Sequence, residues 1–137
     1  MQKWLIALSV IGLIAVTVCI TACGGAALFF SSSTRQIAEA KESAEEFLNK
    51  IEIGDAEGAY ESASEEFRDA TSFAEFENVI ARLPGMPRAN RQLGFITFAR
   101  TPGATRATFR GMSNGKSCTI SLKKTGNKWT VYHLGVP

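Results

Sequence analysis

Residues 92–135 read QLGFITFARTPGATRATFRGMSNGKSCTISLKKTGNKWTVYHLG, and the spacing within this stretch decides the fold. Cys118, Ile120 and Leu122 alternate with Ser117, Thr119, Ser121 and Lys123; Ala107 and Phe109 alternate with Arg106, Thr108 and Arg110. Successive side chains of a strand point to opposite faces, so a period of two describes strands with one apolar and one polar face. Four strands are predicted: Gln92–Arg100, Ala104–Met112, Lys116–Lys124 and Lys128–Gly135. Pro102-Gly103, Asn114-Gly115 and Gly126-Asn127 separate them, and Asn-Gly is the strongest hairpin dipeptide. Connections this short join antiparallel neighbours, which makes the sheet a meander. A sheet with one apolar face needs helices on one side only.

Upstream of the strands the apolar period lengthens to that of a helix. Ile37, Ala40, Ala44, Phe47, Leu48 and Ile51 recur at three- and four-residue steps, predicting a first helix over Thr34–Ile53 with a capping box of Ser33 and Gln36. Gly54 supplies a left-handed stop, and Asp55 caps the next helix, whose apolar face is Ala56, Ala59, Tyr60 and Ala63. Gly58 weakens that helix, and Phe67 is read as part of a short turn after it. Ser72 and Glu75 form another capping box before a third helix with Phe73, Phe76, Val79, Ile80 and Leu83 on one face, ended by Pro84-Gly85. Helices and strands segregate along the chain, so the expected class is α+β: three helices packed on one face of a four-stranded antiparallel meander sheet.

Ahead of this domain, WLIALSVIGLIAVTVCITACGGAALFF (Trp4–Phe30) runs for 27 residues without a charge. A hydrocarbon core about 30 Å thick needs roughly 20 apolar residues in a helix, and this stretch reaches about 40 Å. The leading expectation is a single N-terminal transmembrane helix, with Lys3 and Trp4 suited to the interface. Ile20-Thr21-Ala22-Cys23 offers a second reading, since it resembles the lipobox of bacterial lipoprotein signal peptides, with Cys23 as the lipidation site. The apolar run continues past Cys23, and Lys3 is a sparse basic head; both disagree with that reading. An ordinary signal peptide, cleaved among the small residues Thr21-Ala22-Cys23, is a third. The domains are thus residues 1–30 as membrane anchor and 31–137 as one α+β domain with a single core. Ser31–Thr34 is too short a break to hold that domain away from the bilayer. A short basic head before an apolar segment favours an extracytoplasmic domain on a single-pass anchor.

Charge divides the domain sharply. All thirteen acidic residues lie between Glu39 and Glu77, and from Asn78 onward there are ten Lys or Arg and no acid. Residues 31–77 set those acids against Arg35, Lys41, Lys50 and Arg68, so the halves carry −9 and +10. Two expectations follow. One is that an acidic helical layer docks on a basic sheet layer. The other is that Arg106, Arg110 and Lys123 form a basic patch on the solvent face of the sheet, able to meet anionic lipid headgroups or an acidic partner. The strands show no ladder of exposed aromatics among the cations, which argues against nucleic acid. The single histidine provides no metal-ligand spacing, and Cys118, alone in the soluble part, is read as a buried, inert thiol.

AEEFLNKIEIGDAEGAYESASEEFR (Ala44–Arg68) resembles the opening of nuclear transport factor 2-like domains, in its amphipathic helix, Gly54-Asp55, Ala59-Tyr60 and Phe67. GNKWTV (Gly126–Val131) is similar to the last hairpin of that superfamily. The resemblance covers about 100 residues and rests on fold-forming positions. It implies a cone-shaped α+β fold with a pocket between sheet and helices, and a homodimer through the sheet. It also implies the enzymes of the superfamily, ketosteroid isomerases and polyketide cyclases, as one model of function. Proton abstraction in such a pocket needs a positioned carboxylate or histidine, and the strand half has no acid. The pocket candidates are therefore Tyr60, Trp129 and His133, with His133 following Trp129 and Val131 on one face of the last strand. The leading expectation is a membrane-anchored, non-enzymatic binding or interaction domain without a cofactor, meeting a protein or small-ligand partner. The alternative is a small isomerase- or cyclase-like enzyme using that pocket.

Overall fold

The structure is a computed structural model and describes residues 32–83, 87, 90–113 and 115–137. The chain divides into two compact units, Met1–Gln36 and Ile37–Pro137. Residues 32–52 form the first described helix, α1. The expected capping box at Ser33 and Gln36 is not its start, because Ser32 and Ser33 are already helical. A serine inside a helix costs only about 0.5 kcal/mol, so a short polar run does not end one.

At the other end Gly54 stops α1 with φ of +84°. Its N–H donates to the Ile51 carbonyl at 3.1 Å, and the Asp55 N–H donates to the Lys50 carbonyl at 2.8 Å, which satisfies two orphan carbonyls of the last turn. A Cβ at Gly54 would touch nothing, so the dihedral and not the space demands glycine. Asp55 then caps α2 (Ala56–Ser62), its carboxylate accepting from the Gly58 N–H at 3.0 Å. A Cβ at Gly58 would collide with that carboxylate, so the glycine that weakens α2 also makes room for its cap.

Phe67 is not in a turn. Ser64 caps a separate short helix, α3 (Glu65–Ala70), accepting from the Phe67 N–H at 3.1 Å, and Phe67 is its buried residue. Ser72 and Glu75 form the expected capping box of α4 (Phe73–Arg82): the Glu75 N–H donates to the Ser72 hydroxyl, and the Ser72 N–H donates to the Glu75 carboxylate at 2.8 Å. The Ser72 N–H and the Ser72 hydroxyl, which also donates to that carboxylate at 2.9 Å, lower the Glu75 pKa from the ordinary carboxylate value.

Four strands follow, β1 (Gln92–Thr101), β2 (Ala104–Ser113), β3 (Lys116–Thr125) and β4 (Lys128–Gly135), in the antiparallel order β1-β2-β3-β4. Ala107 pairs with Leu122 and Phe109 with Ile120, which places the buried residues of both strands on one face. Ala40, Ala44, Phe47 and Leu48 of α1, Ala59 of α2, Phe67 of α3 and Phe76 of α4 join that face in one core with Trp129, Val131 and Leu134. The class is α+β, with four described helices where three were expected. The sheet is a four-stranded antiparallel meander.

Each edge strand contains one inserted residue. The register slips between Phe95 and Thr97 in β1, leaving Ile96 over, and between Val131 and His133 opposite Leu122 and Ser121, leaving Tyr132 over. An inserted residue resets the alternation, so inner side chains of β4 fall at Trp129, Val131 and Leu134. At the edge of β4 the Ser64 N–H, in the α2–α3 link, donates to the Val131 carbonyl at 2.8 Å.

The opposite charges of the two layers meet in ion pairs. Lys124 lies 3.6 Å from Glu39, Lys123 lies 3.4 Å from Glu66, and Arg91 lies 2.6 Å from Glu45. Arg91 precedes β1, and its side chain is 1% exposed. It also donates to Asn49 and lies 3.8 Å from Glu52, so one guanidinium gathers three acceptor side chains along one face of α1.

Among the described residues no helix is long and apolar enough to cross a membrane. Trp4–Phe30, with its expected membrane helix and the lipidation site at Cys23, lies outside the described residues, as does the helix stop at Pro84-Gly85.

Candidate functional site

The three pocket candidates occupy three different environments. Tyr60 is half-buried, and its ring packs against Phe67, Phe73 and Phe76 with centroids 5.4–6.3 Å apart. Its hydroxyl donates to the Thr71 carbonyl at 2.6 Å, with the Arg68 carbonyl at 3.2 Å. The polar tip is thereby spent on holding the link between α3 and α4. Trp129 is buried on the inner face of β4, beside Phe98 at 6.5 Å, with the Lys124 ammonium 5.8 Å from its ring centre. His133 is exposed. The inserted Tyr132 turns His133 away from the face that Trp129 and Val131 share, against the expectation that all three continue one alternation. Geometry does not bring Tyr60, Trp129 and His133 together.

Two clefts flank the α2–α3 corner. One, about 330 Å³, is lined by Trp129, Phe47 and Val131 at its base and by Glu39, Glu42, Glu46, Lys50 and Lys128 around it. Lys50 lies 3.5 Å from Glu46 within this rim, and Glu39 lies 3.6 Å from Lys124 outside it. The other, about 980 Å³, is an open groove where Glu61, Glu65, Glu66 and Asp69 face Arg68, Lys123 and Lys128. Tyr60 and His133 line neither. Among the described residues no group of three His, Cys, Asp or Glu side chains is placed to hold a metal ion.

The outward face of the sheet is different. Arg106, Thr108, Arg110 and Met112 of β2 stand on it in alternation, next to Ser117, Thr119, Ser121 and Lys123 of β3. Arg106 and Arg110 are exposed, and Met112 is 50% exposed. The Arg106 guanidinium sits 5.4 Å from the ring centre of Tyr132, a cation–π contact that also places Tyr132 on this face. Thr108 and Ser121 share a hydrogen bond of 3.1 Å beneath them. Lys123 differs from the other two expected members of the patch, because its pairing with Glu66 draws it toward α3. Arg106 and Arg110 thus carry the positive character of the face, with Met112 and Tyr132 beside them. Sequence reasoning passed over these last two. Met112 was visible as the next outward position of β2, and Tyr132 as the outward position after Thr130 in the alternation of β4.

Cys118 is buried on β3 opposite Gly111. Burial pushes its thiol pKa up, against smaller lowering effects of a backbone hydrogen bond at Gly111 and of Arg91. A thiol harder to ionise in the folded than in the unfolded chain stabilises the fold fully below the unfolded pKa of about 8.5, and that stabilisation is lost as pH rises beyond it. Between pH 7 and pH 10 the parent chain should therefore lose more stability than Cys118→Ala, read as the difference between their urea midpoints. Parallel curves would show that the thiol is open to water.

Fold and faces together define a small α+β domain with a filled core, two edge clefts and one open basic sheet face. Comparison of the chain with protein-family models, with curated proteins and with solved structures finds no match.

Proposed function

We propose that this chain is a membrane-anchored, non-enzymatic interaction domain of the nuclear transport factor 2-like type, which presents the outward face of its sheet to a partner. The observation that carries the reading is the contrast between the two sides of the sheet. On the inner side the space that an enzyme of this type would need is filled by Phe67, Phe76, Phe109, Ile120 and Leu122. On the outer side Arg106 and Arg110 stand in the open with no acid in their half of the sequence. A catalytic reading needs a base in a pocket, and His133, Tyr60 and Trp129 supply none together.

The anchor is Trp4–Phe30, whose length and lack of charge suit a single span with the domain on the extracytoplasmic side. Lipid on Cys23 is the other form the anchor takes. The test is fractionation with intact-mass measurement. The full chain is expected in the membrane fraction after a high-salt wash, at its full mass for a spanning helix or cut before Cys23 with added lipid mass. Deletion of residues 4–30 should release it. A washed full-length chain that stays in the soluble fraction overturns the anchor.

A further inference from the structure

The geometry points to an anionic phospholipid surface as the partner of the outward sheet face, an inference that rests on the interaction reading above. Four observations carry it. Arg106 and Arg110 are four residues apart on one strand, so their guanidinium groups sample positions about 13 Å apart along it. Arg106 lies directly opposite Lys123 in the register between β2 and β3, a like-charge pair that costs stability and that a threonine at either position would avoid. The cost is offset by Glu66 on one side and the Tyr132 ring on the other, so the fold tolerates this concentration of charge on the open face.

Third, the same face exposes an unbranched apolar chain, Met112, two residues beyond Arg110, and an amphipathic ring, Tyr132. Cations that meet headgroup phosphates beside an apolar chain that reaches the acyl boundary are the combination an interfacial surface uses. Fourth, neither cleft includes Arg106, Arg110, Met112 or Tyr132. A protein partner anchors through side chains seated in pockets. A fluid array of phosphates needs none, and it can meet cations spaced along a strand.

The test uses the full chain reconstituted into pure phosphatidylcholine vesicles, mixed with fluorescent vesicles that are either pure phosphatidylcholine or one-third phosphatidylglycerol. Capture of the anionic vesicles alone is expected. It should fall at least about tenfold in the Arg106→Glu, Arg110→Glu double variant, since each cation near an anionic surface contributes about a fivefold factor. Raising NaCl from about 0.05 to 0.5 M should abolish it, because the Debye length then shrinks below about 5 Å. Met112→Ser should weaken capture while leaving its salt dependence unchanged. The urea midpoint of the double variant should match or exceed that of the parent, because a like-charge pair has been removed.

Anionic capture that the double variant leaves intact overturns the inference. So does the absence of capture when an acidic peptide, poly-glutamate, binds the reconstituted chain through the same arginines; the partner is then a protein. Cross-linked dimers lost in the double variant, with no vesicle capture, assign the face to a second copy. If the chain fails to insert into phosphatidylcholine, the anchor reading has failed by itself. The free chain's flotation with anionic vesicles, and its loss in the double variant, then decides the lipid question.

Discussion

Phe76→Ala is expected to destabilise the domain by about 3–5 kcal/mol, the usual cost of truncating a fully buried aromatic side chain. Phe76 has no exposed surface, and its ring is shared by three others: Tyr60 at 5.5 Å, Phe67 at 5.8 Å and Phe47 at 6.1 Å. Those rings come from α1, α2 and α3, so one side chain of α4 ties the whole helical layer together. The alanine variant leaves a hole that no single neighbour can fill, since Tyr60 is held by the Thr71 carbonyl and Phe67 by the short α3. In a domain of this size the loss corresponds to a fall in Tm of roughly 15–30 °C. Urea denaturation of the full chain reads it directly. Phe76→Leu should recover more than half, because it restores most of the volume without the ring contacts. A cost below about 1 kcal/mol for the alanine variant would mean that α4 is not packed as described.

Such an effect was foreseeable in kind from the sequence, because Phe76 lies on the apolar stripe of a helix announced by Ser72 and Glu75. Local chemistry of this sort was the most legible part of the chain. Gly54-Asp55 works as stop and cap, and the period-two alternation of Ala107–Phe109 and Cys118–Leu122 gives the correct inner face. Capping alone did not settle every boundary: Ser33 fits a capping box and lies inside a helix, while Ser64 was overlooked as the cap of α3. Both follow from the same physics, since a serine hydroxyl offers its bond to any nearby orphan N–H, and the continuation of the backbone decides whether one exists.

Inserted residues were the least legible feature, and one of them decides the candidate site. The apolar residues of β4 are Trp129, Val131 and Leu134, a spacing of two and then three. Reading His133 as the continuation of Trp129 and Val131 assumes an unbroken period. The break was marked by Leu134, an apolar side chain that an unbroken pattern would send to the solvent. Placing it inside forces His133 outward beside Tyr132, and with it goes the three-residue pocket. The charge split was half legible. The expectation that an acidic helical layer docks on a basic sheet layer is met by ion pairs at Lys124 and Lys123, but Lys123 had been expected in the open patch. Alternation with Ala107 and Phe109 already places Arg106 and Arg110 outside, whereas only the helices reveal that Lys123 is engaged.

Arg91→Met is expected to cost about 2–4 kcal/mol, somewhat below the usual loss for breaking a buried ion pair, because Glu45 and Glu52 keep partial access to water. The guanidinium is sealed from solvent at the junction where the chain leaves the helical half and enters β1, with Glu45, Asn49 and Glu52 of α1 around it. Removing it leaves two carboxylates and an amide without their shared donor, and it frees the start of the edge strand from the first helix. Arg91→Lys should recover only part of the loss, since an ammonium cannot present the fork that meets Glu45 through two nitrogens at 2.9 and 2.6 Å. Salt separates this contact from the surface pairs. A buried charge pair is little screened, so the cost of Arg91→Met should persist in about 1 M NaCl, whereas Lys123→Met, which removes a half-exposed pair, should cost under about 1 kcal/mol in low salt and nothing measurable in high salt. Urea is the denaturant for both series, because guanidinium would itself screen the charges. If the Arg91→Met penalty disappears with salt, the guanidinium is reached by water and β1 is held to α1 by its apolar residues alone.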